Sequence, residues 1–361
     1  MLKDKIEELK KEKDVVILAH NYEIPEVQDI ADFVGDSLGL ARQAAKTPHK
    51  TILFCGVHFM AETAAIISPE KKVLIPDTNA GCSLSDSINI DQLKKWKSEH
   101  PNAIAVGYVN TTAEIKSELD YCCTSSNAVN VVKAIPDEKE ILFLPDMFLG
   151  SYVAKMTGRK NMLIWAGECH VHAGITPDHV KEKLNSLANA EFLIHPECSC
   201  TTPMMYDVAN GSYKSNQVQI LSTEGMMNHV KEKLNSLANA EFLIHPECSC
   251  TTPMMYDVAN GSYSSNQVQI LSTEGMMNHV KSSKSNEFVV ATETGILYRM
   301  KKQNPGKKFI PASEKAECEY MKMITLEKVY NSLLNETNVV TVPKETADKA
   351  RLAIERMLAI S

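Results

Sequence analysis

The segment Met162-Leu163-Ile164-Trp165-Ala166-Gly167-Glu168-Cys169-His170-Val171-His172 joins an apolar run to a polar turn that carries a cysteine. A strand that ends in such a turn presents the thiol at the protein surface or in a cleft rather than burying it. The same order recurs twice, with apolar residues 73–76 before Cys82 and apolar residues 309–311 before Cys318. Three strands that each lead to a cysteine predict three thiolates gathered at one point.

Length and composition limit what the chain can be. With 361 residues, 44% of them hydrophobic, it can bury the cores of two or three domains. The net charge is -7 and the basic residues are scattered, which argues against a nucleic-acid-binding surface. Residues 1–10 form a charged amphipathic pattern, and no apolar run approaches the ~18 residues that cross a bilayer. We expect a cytoplasmic protein with neither nucleic-acid nor membrane partners.

Residues 181–230 recur almost unchanged as residues 231–280, and the single difference is Lys214 against Ser264. Near identity over this length indicates a recent tandem duplication or an assembly error, because the repeats of an old solenoid drift apart. Every residue of one copy therefore has a twin in the other. Since the copies cannot both occupy one place in a fold, we expect the displaced copy to lower solubility or order.

A weaker threefold repeat becomes visible when one copy is set aside. Each unit begins with an apolar strand that ends in a polar cluster, continues through a hydroxyl-bearing turn and another strand, and closes with the strand before the cysteine. The separations from hydroxyl to cysteine are 45 residues for Ser37 and Cys82, 44 for Ser125 and Cys169, and 45 for Thr273 and Cys318. Agreement this close predicts one shared architecture for three units.

Helical patterns, such as residues 30–34 and 59–67, lie between the strands. Alternating strands and helices indicate parallel sheets with helices on their faces, and ligands then bind beyond the carboxyl ends of the strands. We predict three α/β/α three-layer domains with small parallel sheets, related by approximate threefold symmetry around a central cavity. The predicted bounds are 1–84 with 320–361 for the first domain, 85–172 for the second, and 173–319 for the third, which carries the duplication.

Three thiolates from three domains fit a 4Fe-4S cluster in which Cys82, Cys169 and Cys318 are the metal ligands. The fourth iron is then open and can act as a Lewis acid. A buried structural thiol is the alternative for each cysteine taken alone, but the repeated placement favours the cluster. The cysteines that fit core positions better are Cys55, Cys122 and Cys123.

Two C-x-C pairs, Cys198 with Cys200 and Cys248 with Cys250, stand apart from this repeat. They could in principle bind a metal. The first and second units contain no counterpart, so we do not expect these cysteines to be cluster ligands.

Polar residues at the predicted strand ends supply acids, bases and donors. His20, Tyr108 and His195 occupy equivalent positions, Glu197 adds a carboxylate, and Tyr22 adds an acid. Hydroxyls on turns before helices can hold a carboxylate or phosphate, although helix capping alone also explains them. Such a set beside an open iron suits dehydration and carbon–carbon condensation of small anionic substrates. The hydroxyls in question belong to Ser37, Ser125 and Thr273.

The motifs resemble the quinolinate synthase family of de novo NAD biosynthesis over nearly the whole chain. They are Leu18-Ala19-His20-Asn21-Tyr22, Gly35-Asp36-Ser37, residues 56–64, residues 108–112, His195-Pro196-Glu197-Cys198, Met321-Lys322 and Thr325-Leu326-Glu327. The resemblance implies condensation of iminoaspartate with dihydroxyacetone phosphate to quinolinate, with loss of phosphate and water. It also implies a pseudo-threefold protein with a central 4Fe-4S cluster.

The resemblance further implies which residues contact the substrates. They are His20, Ser37, Tyr108, Asn110, Ser125, His195, Glu197 and Thr223, with the twins His245, Glu247 and Thr273. Glu197 or Glu247, together with Tyr22, is expected to move protons. The family pattern has no 50-residue duplication, so the choice of copy stays open. Spacing from the N-terminal side favours His195 and Glu197, whereas spacing to the C-terminal side favours Thr273.

Two other functions fit the same cysteines. One is a 4Fe-4S hydro-lyase acting on a small hydroxy acid, which turns over one substrate and releases no phosphate. The other is a structural protein that binds zinc or a cluster and has no substrate-sized cavity. Because iminoaspartate is unstable, a transient contact with an aspartate-oxidising enzyme is a further expectation for the synthase.

Overall fold

The computed structural model describes residues 2–168, 192–194, 218–220, 240–244, 268–311, 314 and 316–360. Within these residues, short parallel sheets alternate with helices along the chain. The predicted α/β class with small parallel sheets is therefore confirmed. No helix in this part of the chain combines the length and the apolar character needed to cross a membrane.

The first sheet has four parallel strands, β1 (Val15–His20), β2 (Phe33–Gly35), β3 (Thr51–Cys55) and β4 (Lys72–Leu74). Their spatial order is β2-β1-β3-β4. Strand β1 is buried along its whole length, as expected for a central strand covered on both faces. The helices of this part of the chain are α1 (Leu2–Glu12), α2 (Pro25–Ile30), α3 (Ser37–Lys46) and α4 (His58–Ile67).

The second sheet repeats this order with β5 (Ile104–Tyr108), β6 (Tyr121–Cys123), β7 (Ile141–Leu144) and β8 (Met162–Ile164), arranged β6-β5-β7-β8. Its helices are α5 (Ile90–Glu99), α6 (Ala113–Lys116), α7 (Ala128–Lys133) and α8 (Met147–Thr157). Cys55, Cys122 and Cys123 are fully buried in these first two sheets, so the prediction that they are core residues is confirmed.

The two copies of the duplicated segment form different sheets. Strands β9 (Phe192–Ile194) and β10 (Val218–Ile220), from the first copy, pair only with each other among the described residues. Strands β11 (Ala240–Ile244) and β12 (Val268–Ile270), from the second copy, join β13 (Glu287–Ala291) and β14 (Lys308–Pro311) in the order β12-β11-β13-β14. Helices α9 (Thr273–Ser282) and α10 (Ile296–Gln303) accompany this sheet. The second copy thus supplies half of a third four-stranded sheet.

Three helices follow the third sheet along the chain, namely α11 (Glu319–Lys322), α12 (Leu326–Asn335) and α13 (Lys344–Ala359). Helix α12 packs against α1, and α13 packs against α4, α6 and β6. Asn127 Nδ2 donates hydrogen bonds to the backbone oxygens of Met357 (3.0 Å) and Ile360 (2.8 Å). One hydrophobic cluster accordingly includes buried residues of the first sheet, the second sheet and α13.

The pattern at residues 30–34 predicts a helix, and this prediction is wrong. Helix α2 ends at Ile30, and Phe33 and Val34 belong to β2. Pro25 fixes the start of the helix earlier in the chain, because proline is pre-organised for the first helical position. The Asp32 carboxylate then accepts a 2.8 Å hydrogen bond from the Ile17 backbone N–H, which holds the chain along the edge of β1.

Candidate active site

Residues from all three four-stranded sheets line one cavity. The first-sheet region contributes His20, Tyr22, Ser37 and Cys82; the second contributes Tyr108, Asn110 and Ser125; the third contributes Thr273, Thr292, Glu293 and Cys318. Every predicted site residue within the described part of the chain therefore lines this cavity. The predicted residues outside the described part are Cys169, His195, Glu197, Thr223, His245 and Glu247.

The carboxyl end of β1 places an imidazole and a phenol in the cavity. His20 Nδ1 accepts a hydrogen bond from the Tyr22 backbone N–H at 3.3 Å, so the neutral ring carries its proton on Nε2. The two rings meet edge to face, with centroids 4.5 Å apart. The Tyr22 hydroxyl lies 2.6 Å from Thr292 Oγ1, which joins the end of β1 to the end of β13. The phenol of Tyr22 is thus held at the cavity wall by Thr292, which follows a strand of the third sheet.

Asn21, which follows β1 of the first sheet, forms a hydrogen bond with Thr273 of the second copy of the duplicated segment. Its side chain is buried, and its Nδ2 donates to Thr273 Oγ1 at 3.0 Å. Its Oδ1 accepts from Arg299 Nη1 at 2.7 Å, and Arg299 pairs with Glu274 at 2.6 Å. Thr273 is thereby held at the cavity wall by a network of buried and half-buried polar groups.

Helix capping does not account for the hydroxyls of Ser37 and Thr273. Asp36 caps α3 by accepting from the Gly39 backbone N–H, and Ser272 caps α9 by accepting from the Gly275 backbone N–H. Each capped helix then begins with the cavity residue itself. Since neighbouring side chains do the capping, neither hydroxyl is used as a cap, and both stand at helix N-termini. Thr273 Oγ1 accepts from Asn21 and keeps its O–H to donate to a ligand. Burial raises the pKa of Asp36, an effect that the Gly39 hydrogen bond opposes.

Asn110 presents an unused acceptor to the cavity. Its Oδ1 is buried and has no hydrogen-bond partner among the described residues. Leaving a buried acceptor unpaired costs about 1–3 kcal/mol, so this oxygen is suited to a ligand that brings a donor. The loop that carries Asn110 is stabilised by the fully buried Lys116, whose ammonium group donates to the Thr111 backbone oxygen. Lys116 Nζ also lies 5.3 Å from the centroid of the Phe59 ring.

Cys82 and Cys318 are half-buried thiols on the wall of the same cavity, and neither forms a disulfide. They follow strands of different sheets, but their neighbours in the chain lie close together. Gly81 precedes Cys82, and a Cβ placed at Gly81 would lie 3.7 Å from Cε1 of Tyr320, which is two residues after Cys318. The described residues contain no group of three metal-ligating side chains suited to one metal ion. The described residues include two of the three predicted cluster ligands, Cys82 and Cys318.

The segment that leads to Cys169 lies beside the segment that follows Cys82. Trp165 Nε1 donates to the Ser87 backbone oxygen at 3.0 Å, and a Cβ at Gly167 would collide with Ser87 Oγ. The thiols of Cys82 and Cys318 are suitable ligands for the predicted cluster. The contact of residues 165–167 with Ser87 brings the chain before Cys169 close to the chain after Cys82. Cys169 itself lies outside the described residues.

Thr292 and Glu293 are cavity residues that sequence reasoning missed. Both follow β13 directly, so they stand at the carboxyl end of a parallel strand, as His20 and Tyr108 do. Applying the strand-end rule to β13 would have identified them. Burial raises the pKa of Glu293, although Lys322 opposes the shift.

The buried carboxyl group of Glu23 makes the stability of the protein depend on pH. Its side chain is buried, and both carboxyl oxygens lack a hydrogen-bond partner among the described residues. Burial raises the pKa of Glu23 well above its ordinary value; Lys322 opposes the shift and Glu293 adds to it. Because the folded state then holds its proton more tightly than the unfolded state, stability falls as pH rises above the unfolded pKa.

We expect Glu23→Gln to raise the free energy of unfolding by about 1–2 kcal/mol at pH 8 and by much less at pH 5. Denaturant unfolding at the two pH values measures this difference. Glu26→Gln, at an exposed position in the first turn of α2, is the matched control and should not raise either value, since it removes a charge that favours the helix N-terminus by about 0.3–1 kcal/mol. A Glu23→Gln effect that is equal at both pH values would contradict the assignment of a buried, protonated carboxyl.

The family model described as NadA, quinolinate synthetase A protein, matches residues 4–238 and 227–359. Together the two matches span nearly the whole chain. Their overlap, residues 227–238, contains the junction between the two copies of the duplicated segment.

Individual relatives match over comparable lengths. A quinolinate synthase of Thermus thermophilus is 47% identical over 352 residues, covering 98% of this chain and 95% of the relative. That of Pyrobaculum aerophilum is 45% identical over 357 residues, covering 99% of each chain. That of Mycobacterium sp. (strain KMS) is 44% identical over 355 residues, covering 98% of this chain and 90% of the relative.

Proposed function

This chain belongs to the quinolinate synthetase A family and is an enzyme of that family, and we propose that it condenses iminoaspartate with dihydroxyacetone phosphate to quinolinate, with loss of phosphate and water. The observation that carries the proposal is one shared cavity. It gathers two predicted cluster thiols and the described substrate-contact residues from three separate sheets.

The proposed cofactor is a 4Fe-4S cluster held by Cys82, Cys169 and Cys318. When bound, it supplies an open iron that acts as a Lewis acid toward a substrate hydroxyl or carboxylate. Support comes from the half-buried Cys82 and Cys318 on one cavity wall, and from the contact of Trp165 and Gly167 with Ser87.

Both proposed substrates are anions, and the cavity provides matching donors. The hydroxyls of Ser37 and Thr273 stand at the first positions of α3 and α9, where backbone N–H groups also favour carboxylate or phosphate. Ser125 adds a hydroxyl from the second sheet region. Asn110 Oδ1 needs a donor, and the N–H of iminoaspartate is one. We assign Asn110 to the substrate nitrogen and the hydroxyls to its anionic groups.

We assign proton transfer to Tyr22 together with a carboxylate from the His-Pro-Glu turn. We propose Glu247, with His245, rather than the twins Glu197 and His195. Strand β11, which leads directly to His245, lies in the third sheet beside β13, whose following residue Thr292 lines the cavity. Thr273, from the second copy as well, also lines the cavity.

We also propose that the chain forms three α/β/α domains related by approximate threefold symmetry. They comprise residues 1–84 with 320–361, 85–172 and 173–319. The shared strand order of the three four-stranded sheets supports this arrangement, as does their common cavity. An aspartate-oxidising enzyme is the class of partner that would supply the unstable iminoaspartate.

The test is turnover by anaerobically reconstituted protein, with quinolinate and inorganic phosphate measured together. We expect both products in equal amounts, and only when both substrates are present. Release of water from a lone hydroxy acid, with neither quinolinate nor phosphate formed, would instead establish the hydro-lyase.

A further inference from the structure

The two copies of the duplicated segment form the same pair of parallel strands twice. Strands β9 and β10 of the first copy place Leu193 opposite Gln219. Strands β11 and β12 of the second copy place Leu243 opposite Gln269, each residue 50 positions later in the chain. The registers of the two pairs are therefore identical. They differ in their neighbours, because β11 also pairs with β13, whereas β9 pairs only with β10 among the described residues.

We propose that the two copies are interchangeable, so that β9 and β10 can replace β11 and β12 beside β13 and complete the third sheet. The arrangement in the structure is then one of two that this chain can adopt. The first copy takes over when the second cannot fill its place. The inference goes beyond the proposed function and does not depend on it, since it concerns only how the third sheet is assembled.

The core of the third sheet would be the same in both arrangements. Four buried side chains of the second copy pack in one cluster with residues outside the duplication, such as Phe288 of β13. They are Leu243, Met276, Met277 and Val280. The first copy carries the same residue types, 50 positions earlier, at Leu193, Met226, Met227 and Val230. Since the side-chain volumes are unchanged, the replacement creates neither a cavity nor an overpacked core.

The polar contacts between the second copy and the rest of the chain would also be kept. Asn21 Nδ2 donates to Thr273 Oγ1 at 3.0 Å, and Arg299 pairs with Glu274 at 2.6 Å. Asn21 and Arg299 lie outside the duplication, so they are present in either arrangement. Their partners have twins of the same residue type in the first copy, namely Thr223 and Glu224.

The free energies of the two arrangements are therefore close. The copies differ in sequence only at Lys214 against Ser264. In each arrangement, one extra copy lies in a connection to the third sheet, either before β11 or before β13. Closure entropy grows only with the logarithm of loop length, so moving the extra copy between connections changes it little. Damage confined to one copy then shifts the chain to the arrangement that uses the other.

The test is thermal unfolding of the full chain with aspartate at the central core position of one copy or of both. Leu243→Asp and Leu193→Asp should each melt within a few degrees of the parent, because one intact copy remains. The double variant Leu193→Asp/Leu243→Asp should melt about 10 °C lower, since the third-sheet core must then hold an unpaired carboxylate. Phe288→Asp, at a buried position of β13 that has no twin, is the matched control and should melt as low as the double variant.

Hydrogen exchange with peptide mass spectrometry identifies the copy that lies in the sheet. The substitution in Leu243→Asp gives the two otherwise identical strands different peptide masses. In this variant, the backbone N–H groups of β9 should exchange at least about tenfold more slowly than those of β11, and Leu193→Asp should reverse the order. The interchange would be overturned by a single variant that melts as low as the double variant, by β9 that stays unprotected in Leu243→Asp, or by a double variant that melts like the parent.

Discussion

Alanine at Cys82, Cys169 or Cys318 is expected to abolish both the brown absorbance of the reconstituted protein and quinolinate formation. Each thiolate would hold one iron of the proposed cluster, so loss of any one leaves that iron exposed to solvent and the cluster unstable. Iron and sulfide analysis after anaerobic reconstitution, followed by the two-substrate assay, measures the two effects separately.

Cys123→Ala is the matched control for these variants. Cys123 is fully buried in β6, and burial raises the pKa of its thiol well above the ordinary value, which makes it a poor metal ligand. The variant should keep its iron and its turnover and should lose about 1–2 kcal/mol of folding free energy. Full iron content and turnover in Cys82→Ala or Cys318→Ala would end the case for a three-cysteine cluster.

Deleting residues 181–230 is expected to raise the melting temperature by a few degrees and to increase the soluble yield. The structure places the second copy in the four-stranded third sheet, while β9 and β10 of the first copy form a two-stranded sheet. A sheet of two strands contributes little stability by itself. Deletion also shortens the connection between β8 and β11 about threefold, which is worth roughly 1 kcal/mol of closure entropy. Thermal unfolding and the soluble fraction after expression measure the result.

Deleting residues 231–280 instead provides an internal control. The two shortened chains differ only in carrying Ser264 or Lys214 at the corresponding position, so they should melt and express alike. Equal melting and yield for the full chain and both shortened chains would show that the displaced copy has no cost. A clear difference between the shortened chains would show that the single substituted position matters more than the duplication.

Local patterns predicted the longer strands and several cavity residues. Residues 15–19 and 141–144 are apolar runs of the kind that a buried parallel strand requires, and both lie in strands in the structure. The rule that ligands bind beyond strand ends then brought His20 and Tyr108 to the predicted site. The rule works because parallel strands of one sheet all end at the same edge.

Two of the three-residue strands, β2 and β6, and the long-range polar contacts were not predicted from the sequence. Strands β2 and β6 have three residues each, too few for a period-two pattern to emerge. The hydrogen bond from Asn21 to Thr273 joins residues 252 positions apart, and no local pattern encodes such a pairing. The buried ammonium of Lys116 likewise depends on packing against Phe59 from another helix.

The choice between the duplicated copies also lay beyond the sequence, since the two are almost identical. In the structure, β11 and β12 of the second copy lie in the third sheet, and β12 leads directly through α9 into β13. The chain then spans the first copy between β8 and β11, just as it would span the second copy if the first lay in the sheet, so closure entropy separates the two arrangements by little.

Helix α13 contacts α4 on the first-sheet side and α6 and β6 on the second-sheet side. It follows every strand of the described sheets along the chain. During synthesis, the ribosome therefore releases all the strands before it releases the segment that clasps these two sheets together. The contacts of α13 with these two sheets can therefore form only after all of their strands have been synthesised.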